Sequence, residues 1–146
     1  MSTTPELDAD GVAAAERELC GLVNALAQRI DSHVRLRATP LGLSAPQAVA
    51  LRELTGPMTM RELAERMSCE PSNATFVVDR LERSGYVRRR PHPTDRRAKL
   101  LVLTPEGTAL REQLLTQLAA DSPLQPLSQR ELHTLQRLLE RAVTGD

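Results

Sequence analysis

Residues 59–104, TMRELAERMSCEPSNATFVVDRLERSGYVRRRPHPTDRRAKLLVLT, constrain the fold more than any other stretch of the chain. Thr59 followed three residues later by Glu62 has the form of a capping box. Leu63, Ala64 and Met67 then repeat at helical spacing. Ser68-Cys69-Glu70 is a short polar break. Pro71 suits the first turn of a second helix, where its missing N–H leaves no bond unmade. In that helix Ala74, Val77, Val78 and Leu81 fall at i, i+3, i+4 and i+7 and share one face. Ser72, Phe76, Asp79, Arg80 and Arg83 point away from it, with Asn73 and Thr75 on the flanks. Gly85 closes the helix in a left-handed conformation.

A hairpin follows. Tyr86-Val87-Arg88 and Lys99 to Leu103 have strand-like content, and the turn-rich Pro91-His92-Pro93-Thr94-Asp95 separates them. Alternation in the second run is imperfect, which predicts a strand covered on both faces. Two short helices and a hairpin with a cationic loop describe a winged helix-turn-helix. Such a unit joins a helix able to enter a major groove to a loop able to reach a neighbouring minor groove.

Charge sharpens that reading. The chain carries 19 basic and 19 acidic residues, net zero. Residues 80–99 hold eight basic residues against two acidic ones, so this stretch is +6 and the rest is −6. A charge cluster is often no more than a solvated surface. Here it coincides with the second helix and the hairpin loop, the footprint expected of a nucleic-acid binder. With no Trp, one Tyr and one Phe, the chain lacks the aromatic platforms of RNA-stacking modules.

The runs Leu63-Ala64, Val78-Asp79-Arg80-Leu81-Glu82 with Gly85-Tyr86-Val87, Pro93-Thr94-Asp95-Arg96-Arg97 and Leu103-Thr104-Pro105-Glu106-Gly107 occur in order. Together they resemble the MarR family of bacterial transcription regulators, from about Leu43 to Gly107. The resemblance implies a homodimeric winged helix-turn-helix protein on a pseudo-palindromic double-stranded operator. It also implies that Arg97 of the Asp-x-Arg element enters the minor groove while Asp95 orients it. Base edges are then expected at Ser72, Asn73, Thr75 and Phe76, and phosphates at Arg80, Arg83, Arg96 and Lys99. Phe76 departs from the family, where a polar or basic residue is usual. Either the helix is rotated so that Phe76 packs on a neighbour, or the ring is an apolar tip for a thymine methyl.

The expected fold is mainly α with one small β-hairpin. Residues 1–10 are read as a flexible tail, 11–43 and 105–146 as dimerisation helices, and 44–104 as the DNA-binding region, all in one structural domain. In the first helix Leu19, Val23, Leu26, Ile30 and Val34 form a stripe, with Leu22 and Ala27 beside it. Ala45, Ala48, Val49 and Leu51 suggest a short buried helix. Thr104-Pro105-Glu106 opens a helix carrying Leu110, Leu114 and Leu118. Pro123 and Pro126 break the chain, and Ser128-Gln129-Arg130-Glu131 is a second capping box. These terminal helices either complete a monomeric core or pair two subunits. The pairing is favoured because a major-groove reader ordinarily pairs half-sites.

Other chemistry is sparse. No apolar run approaches the roughly 20 residues of a membrane helix, and Met1 to Asp10 lacks a secretory core, so a cytoplasmic location is expected. His33, His92 and His133 are scattered in surface or capping roles. No metal-ligand spacing, phosphate loop or nucleophile motif is visible, so neither enzyme activity, a metal nor a cofactor is expected. Cys20 is either a small buried hydrophobe or a peroxide-sensing thiol, since the OhrR branch of the resembled family carries a reactive cysteine in a similar place. The tyrosines that hold the thiolate in that branch match Val34 and Ala45 here. The resemblance also implies a small, mostly apolar effector such as a phenolic acid, with His33 and Arg37 as candidates for its carboxylate. The competing function class is a winged-helix protein-interaction module whose basic wing meets an acidic partner.

Overall fold

The computed structural model describes residues 8–146. The element order is α1 (Ala9–Ala38), α2 (Ala45–Glu53), α3 (Met60–Met67), α4 (Pro71–Arg83), β1 (Val87–Pro91), β2 (Lys99–Leu103), α5 (Pro105–Ala119) and α6 (Gln129–Thr144), with one 3₁₀ turn at Thr39–Leu41. Residues 1–7 of the expected tail lie outside the described residues. The rest of that tail is structured, because Asp8 accepts a hydrogen bond from the Gly11 N–H and starts α1 two residues early. No described helix is long and apolar enough to cross a membrane.

Local chemistry sets the boundaries. Thr59, Thr104 and Ser128 each cap the helix that follows with a side-chain oxygen. Ser44 and Gln47 form a reciprocal capping box at α2, as Ser128 and Glu131 do at α6. Each cap contributes about 1 kcal/mol. Gly42 and Gly85 hold φ of +72° and +84°, the left-handed region that glycine enters without the steric cost of a Cβ.

The core gathers the end of α1, then α2, α3, α4, the hairpin and α5. Val34, Ala38, Leu51, Leu54, Leu63, Val78, Leu81, Val87, Leu101 and Leu114 are buried in it. Burying a leucine or valine of this kind contributes roughly 1.5–3 kcal/mol before entropy is counted. In β2 both Leu101 and Val102 are buried although they face opposite sides, so the strand is covered on both faces as its pattern predicts.

The remaining length has no such partner. Along α1 Val12, Leu19, Leu22 and Val23 are exposed. No residue of α6 is buried, and Leu132, Leu138, Leu139 and Val143 face solvent. A single chain of this fold therefore leaves two long apolar helix faces open.

Candidate nucleic-acid interface

The turn between α3 and α4 is fixed by backbone bonds. Ser68 takes a left-handed conformation with φ of 54°, and the Cys69 N–H donates to the Ala64 carbonyl at 3.0 Å. Glu70 precedes α4, and its carbonyl accepts from the Asn73 and Ala74 N–H groups. Pro71 occupies the first helical turn. Ala74, Val77, Val78 and Leu81 are buried, so the inward face is the one their spacing predicts.

That burial fixes the opposite face. Ser72, Asn73, Phe76, Arg80 and Arg83 are exposed. Thr75 is half-buried, and its hydroxyl donates back to the Pro71 carbonyl at 2.9 Å, which leaves only its acceptor capacity for another molecule. Phe76 is 63 % exposed. Of the two readings of this residue, packing on a core neighbour is excluded. Its ring instead lies under the Arg80 guanidinium, 4.9 Å from carbon Cζ to the centroid. A cation–π contact this exposed contributes about 0.5–1 kcal/mol.

The hairpin is tied to this helix by one arginine. Arg89 of β1 donates to Asp79 of α4 and sits 3.7 Å from Glu82 one turn on. Arg89 is one of the eight basic residues of 80–99, and the structure directs it to α4 rather than to the loop. A second tie comes from Met58, ahead of α3, which forms an antiparallel bridge with Leu101 of β2. A third lies at the base of the hairpin. The Thr104 hydroxyl donates to the Gly85 carbonyl at 2.6 Å and accepts from the Gly107 N–H at 3.0 Å. A Cβ on Gly107 would stand 2.0 Å from the Tyr86 carbonyl oxygen, so only glycine lets α5 start this close to the hairpin.

Pro91 pairs with Lys99 at the open end of the hairpin, and the loop beyond holds Arg96 and Arg97. His92 organises that loop. Its Nδ1 accepts from the backbone N–H groups of Asp95 at 3.0 Å and Thr94 at 3.2 Å, so its ring proton is on Nε2. Asp95 then accepts from the Arg97 backbone N–H at 2.9 Å. Asp95 thus shapes the chain at Arg97 rather than holding its guanidinium. Arg96, Arg97 and Lys99 are all exposed. The role of His92 goes unread in the sequence beyond a general capping role, although a residue with an acceptor flanked by two prolines is a signal for it.

The candidate effector and redox residues lie elsewhere. His33 Nε2 donates to the Leu118 carbonyl at 2.8 Å. Arg37 donates to the Ala120 carbonyl and to Asp121, each at 3.2 Å. Both side chains therefore clamp the end of α1 to the end of α5. Arg37 also keeps a buried Nε without a partner among the described residues. Cys20 is exposed on α1 rather than buried, and its thiol makes no hydrogen bond among the described residues. The described residues also contain no group of three or more His, Cys, Asp or Glu side chains placed to hold a metal.

Comparison with known proteins agrees with this geometry. The model of the MarR family matches residues 43–99. The multiple antibiotic resistance protein MarR of Salmonella typhimurium is 33 % identical over 94 residues, which span 63 % of this chain and 65 % of that one. The protein of the same name from Escherichia coli is 30 % identical over 127 residues, 84 % of this chain and 88 % of that one. The crystal structure of a cysteine mutant of E. coli MarR complexed with operator DNA superimposes with a TM-score of 0.69. It is 29 % identical and covers 86 % of this chain and 93 % of that one. CouR from Rhodococcus jostii RHA1 bound to p-coumaroyl-CoA gives 0.74 at 25 % identity, over 83 % and 88 % of the two chains.

Proposed function

Because the chain belongs to the MarR family of winged helix-turn-helix transcription regulators, we propose that it represses transcription as a homodimer on a pseudo-palindromic double-stranded operator. The observation that carries this reading is the outward face of α4. It presents Ser72, Asn73, Phe76, Arg80 and Arg83 to solvent on the same body as the cationic loop of Arg96, Arg97 and Lys99. In this reading the first part of α4 meets base edges, Arg80 and Arg83 meet phosphate, and Arg97 enters the minor groove.

The open helix faces support dimerisation. Val12, Leu19, Leu22 and Val23 of α1 and Leu132, Leu138, Leu139 and Val143 of α6 are exposed in the single chain. Large apolar side chains exposed in rows along two helices mark an interaction surface. Two copies joined through these helices hold two α4 helices for half-sites about 34–36 Å apart on one face of the duplex.

Release from the operator needs a ligand that binds the non-docking arrangement better. The clamp of His33 and Arg37 on the end of α5 supports a mechanism for this. A small aromatic carboxylate taken by these two side chains competes with the Leu118 and Ala120 carbonyls and shifts α1 against α5. CouR bound to p-coumaroyl-CoA supports an aromatic ligand, and the carboxylate is inferred from the donors His33 and Arg37. Titrating the operator complex with aromatic carboxylates under reducing conditions tests it: release is expected in the wild type and not in a His33→Ala, Arg37→Ala double variant. A parallel titration with organic hydroperoxide tests Cys20, and release that survives Cys20→Ser excludes that thiol as a switch.

Salt titration tests the function itself. Binding to duplex DNA weakens steeply as salt rises, because condensed counterions return to the phosphates. An operator-binding regulator keeps a preference for one sequence across that titration. A protein-interaction module does not, and a chain showing no sequence preference at any salt contradicts the reading.

A further inference from the structure

The chain has one phenylalanine, and the fold places it where a core residue is not needed. Every buried apolar side chain of α4 faces inward. Phe76 faces outward, flanked by Ser72 and Asn73 before it and Arg80 and Arg83 after it, and 63 % of it is exposed. The Arg80 guanidinium over the ring restrains the ring and leaves its remaining surface open. A large apolar surface held ready in this way loses little side-chain entropy on meeting a partner.

We propose that Phe76 reads the C5-methyl group of one thymine in each operator half-site. The inference rests on the operator-binding function above and adds a base to it. The chemistry of the major groove is selective here. Purine edges offer N7 with O6 or N6, and cytosine offers an amino donor; a phenyl ring placed on any of these removes water and returns no hydrogen bond. The thymine methyl is the one apolar group an unmodified major groove presents. Burying it against the ring removes apolar surface on both sides from water. At one methyl group's worth of transfer free energy this discriminates about fourfold per half-site.

Deoxyuridine supplies the test, since it keeps every hydrogen-bonding group of thymine and lacks only the methyl. The duplex recovered by selection from a random pool is resynthesised with each thymine replaced in turn by deoxyuridine, and the full-length protein is titrated against each. Wild type is expected to bind about fourfold more weakly when one particular thymine of a half-site is replaced. Phe76→Ala and Phe76→Gln are expected to bind thymine and deoxyuridine equally at that position while still recognising the rest of the site. Because Phe76 is exposed, both variants lose no more than the cation–π contact, about 0.5–1 kcal/mol, and keep the fold, which circular dichroism checks. If no position is methyl-sensitive, or if the variants keep the wild-type sensitivity, the thymine contact is wrong while operator binding stands. If no duplex is selected at all, both readings fall.

Discussion

Arg89 on β1 donates to Asp79 on α4 and so joins the hairpin to the reading helix by a side chain pair ten residues apart. Both partners are partly exposed, at 32 % and 42 %. A surface pair of this kind adds less than about 1 kcal/mol to stability. In the proposed docking its use is geometric, because there the wing and α4 reach two grooves at once.

This gives the first prediction. Asp79→Asn raises the net positive charge, so electrostatics alone predicts tighter DNA binding. Loss of the Arg89 tie predicts weaker binding, by up to about fivefold, with the melting temperature almost unchanged, since the lost pair is worth under about 1 kcal/mol. Fluorescence anisotropy on an operator duplex reads the sign. Tighter binding to the variant removes the tie from the mechanism.

Two substitutions address the wing. Arg97→Ala is expected to lower operator affinity strongly and leave the fold intact. Asp95→Ala and His92→Phe remove the acceptors that shape the loop around Arg97, and both are expected to weaken binding although neither removes a cation. Unchanged affinity in both, at moderate salt, means the loop needs no preset shape.

Gly107→Ala tests the junction of hairpin and α5. Its Cβ meets a backbone carbonyl at 2.0 Å, so either α5 or the hairpin must shift. Overpacking of this sort costs about 1–3 kcal/mol. Urea denaturation should show a loss of that size, whereas the same change at Gly21, with open space around it, should not.

The face of α6 gives a prediction for assembly. Leu135→Asp and Leu139→Arg are expected to produce monomers by sedimentation with helical content retained, since no residue of α6 is buried in the single chain. The start of this helix also titrates. Hydrogen bonds from the Ser128 backbone and side chain hold the Glu131 carboxyl below its ordinary range. A depressed carboxylate stabilises the fold above its unfolded value, and that part is lost as pH falls through the folded value. Thermal stability of wild type relative to Glu131→Gln should therefore be greatest near neutrality and shrink on acidification. A difference independent of pH would falsify the role of its charge.

Much of the fold is legible in the chain because it is written in local chemistry. The caps at Thr59, Thr104 and Ser128, the i, i+3, i+4 face of α4, the two-sided burial of β2 and the exposed phase of Phe76 all follow from neighbours within a turn or two. The capping box of Ser44 and Gln47 is equally local, carried by its Ser-x-x-Gln spacing. Other features depend on partners far away in sequence. His33 meets Leu118 across 85 residues, and no periodicity marks which carbonyl will stand there. Their position near the end of α1 is readable, yet their clamp on α5 is not. The Met58 bridge to Leu101 is a single residue with no strand pattern of its own. The resemblance directs Asp95 to the Arg97 side chain, whereas in the loop Asp95 accepts from the Arg97 backbone.

Selection of bound DNA from a random duplex pool, at a salt concentration that suppresses non-specific binding, tests whether two α4 helices read one operator. An inverted repeat with half-site centres about one helical turn apart, roughly 10–10.5 base pairs, is the expected product. A single unpaired half-site, or a pool no richer in any sequence after repeated rounds, would contradict it.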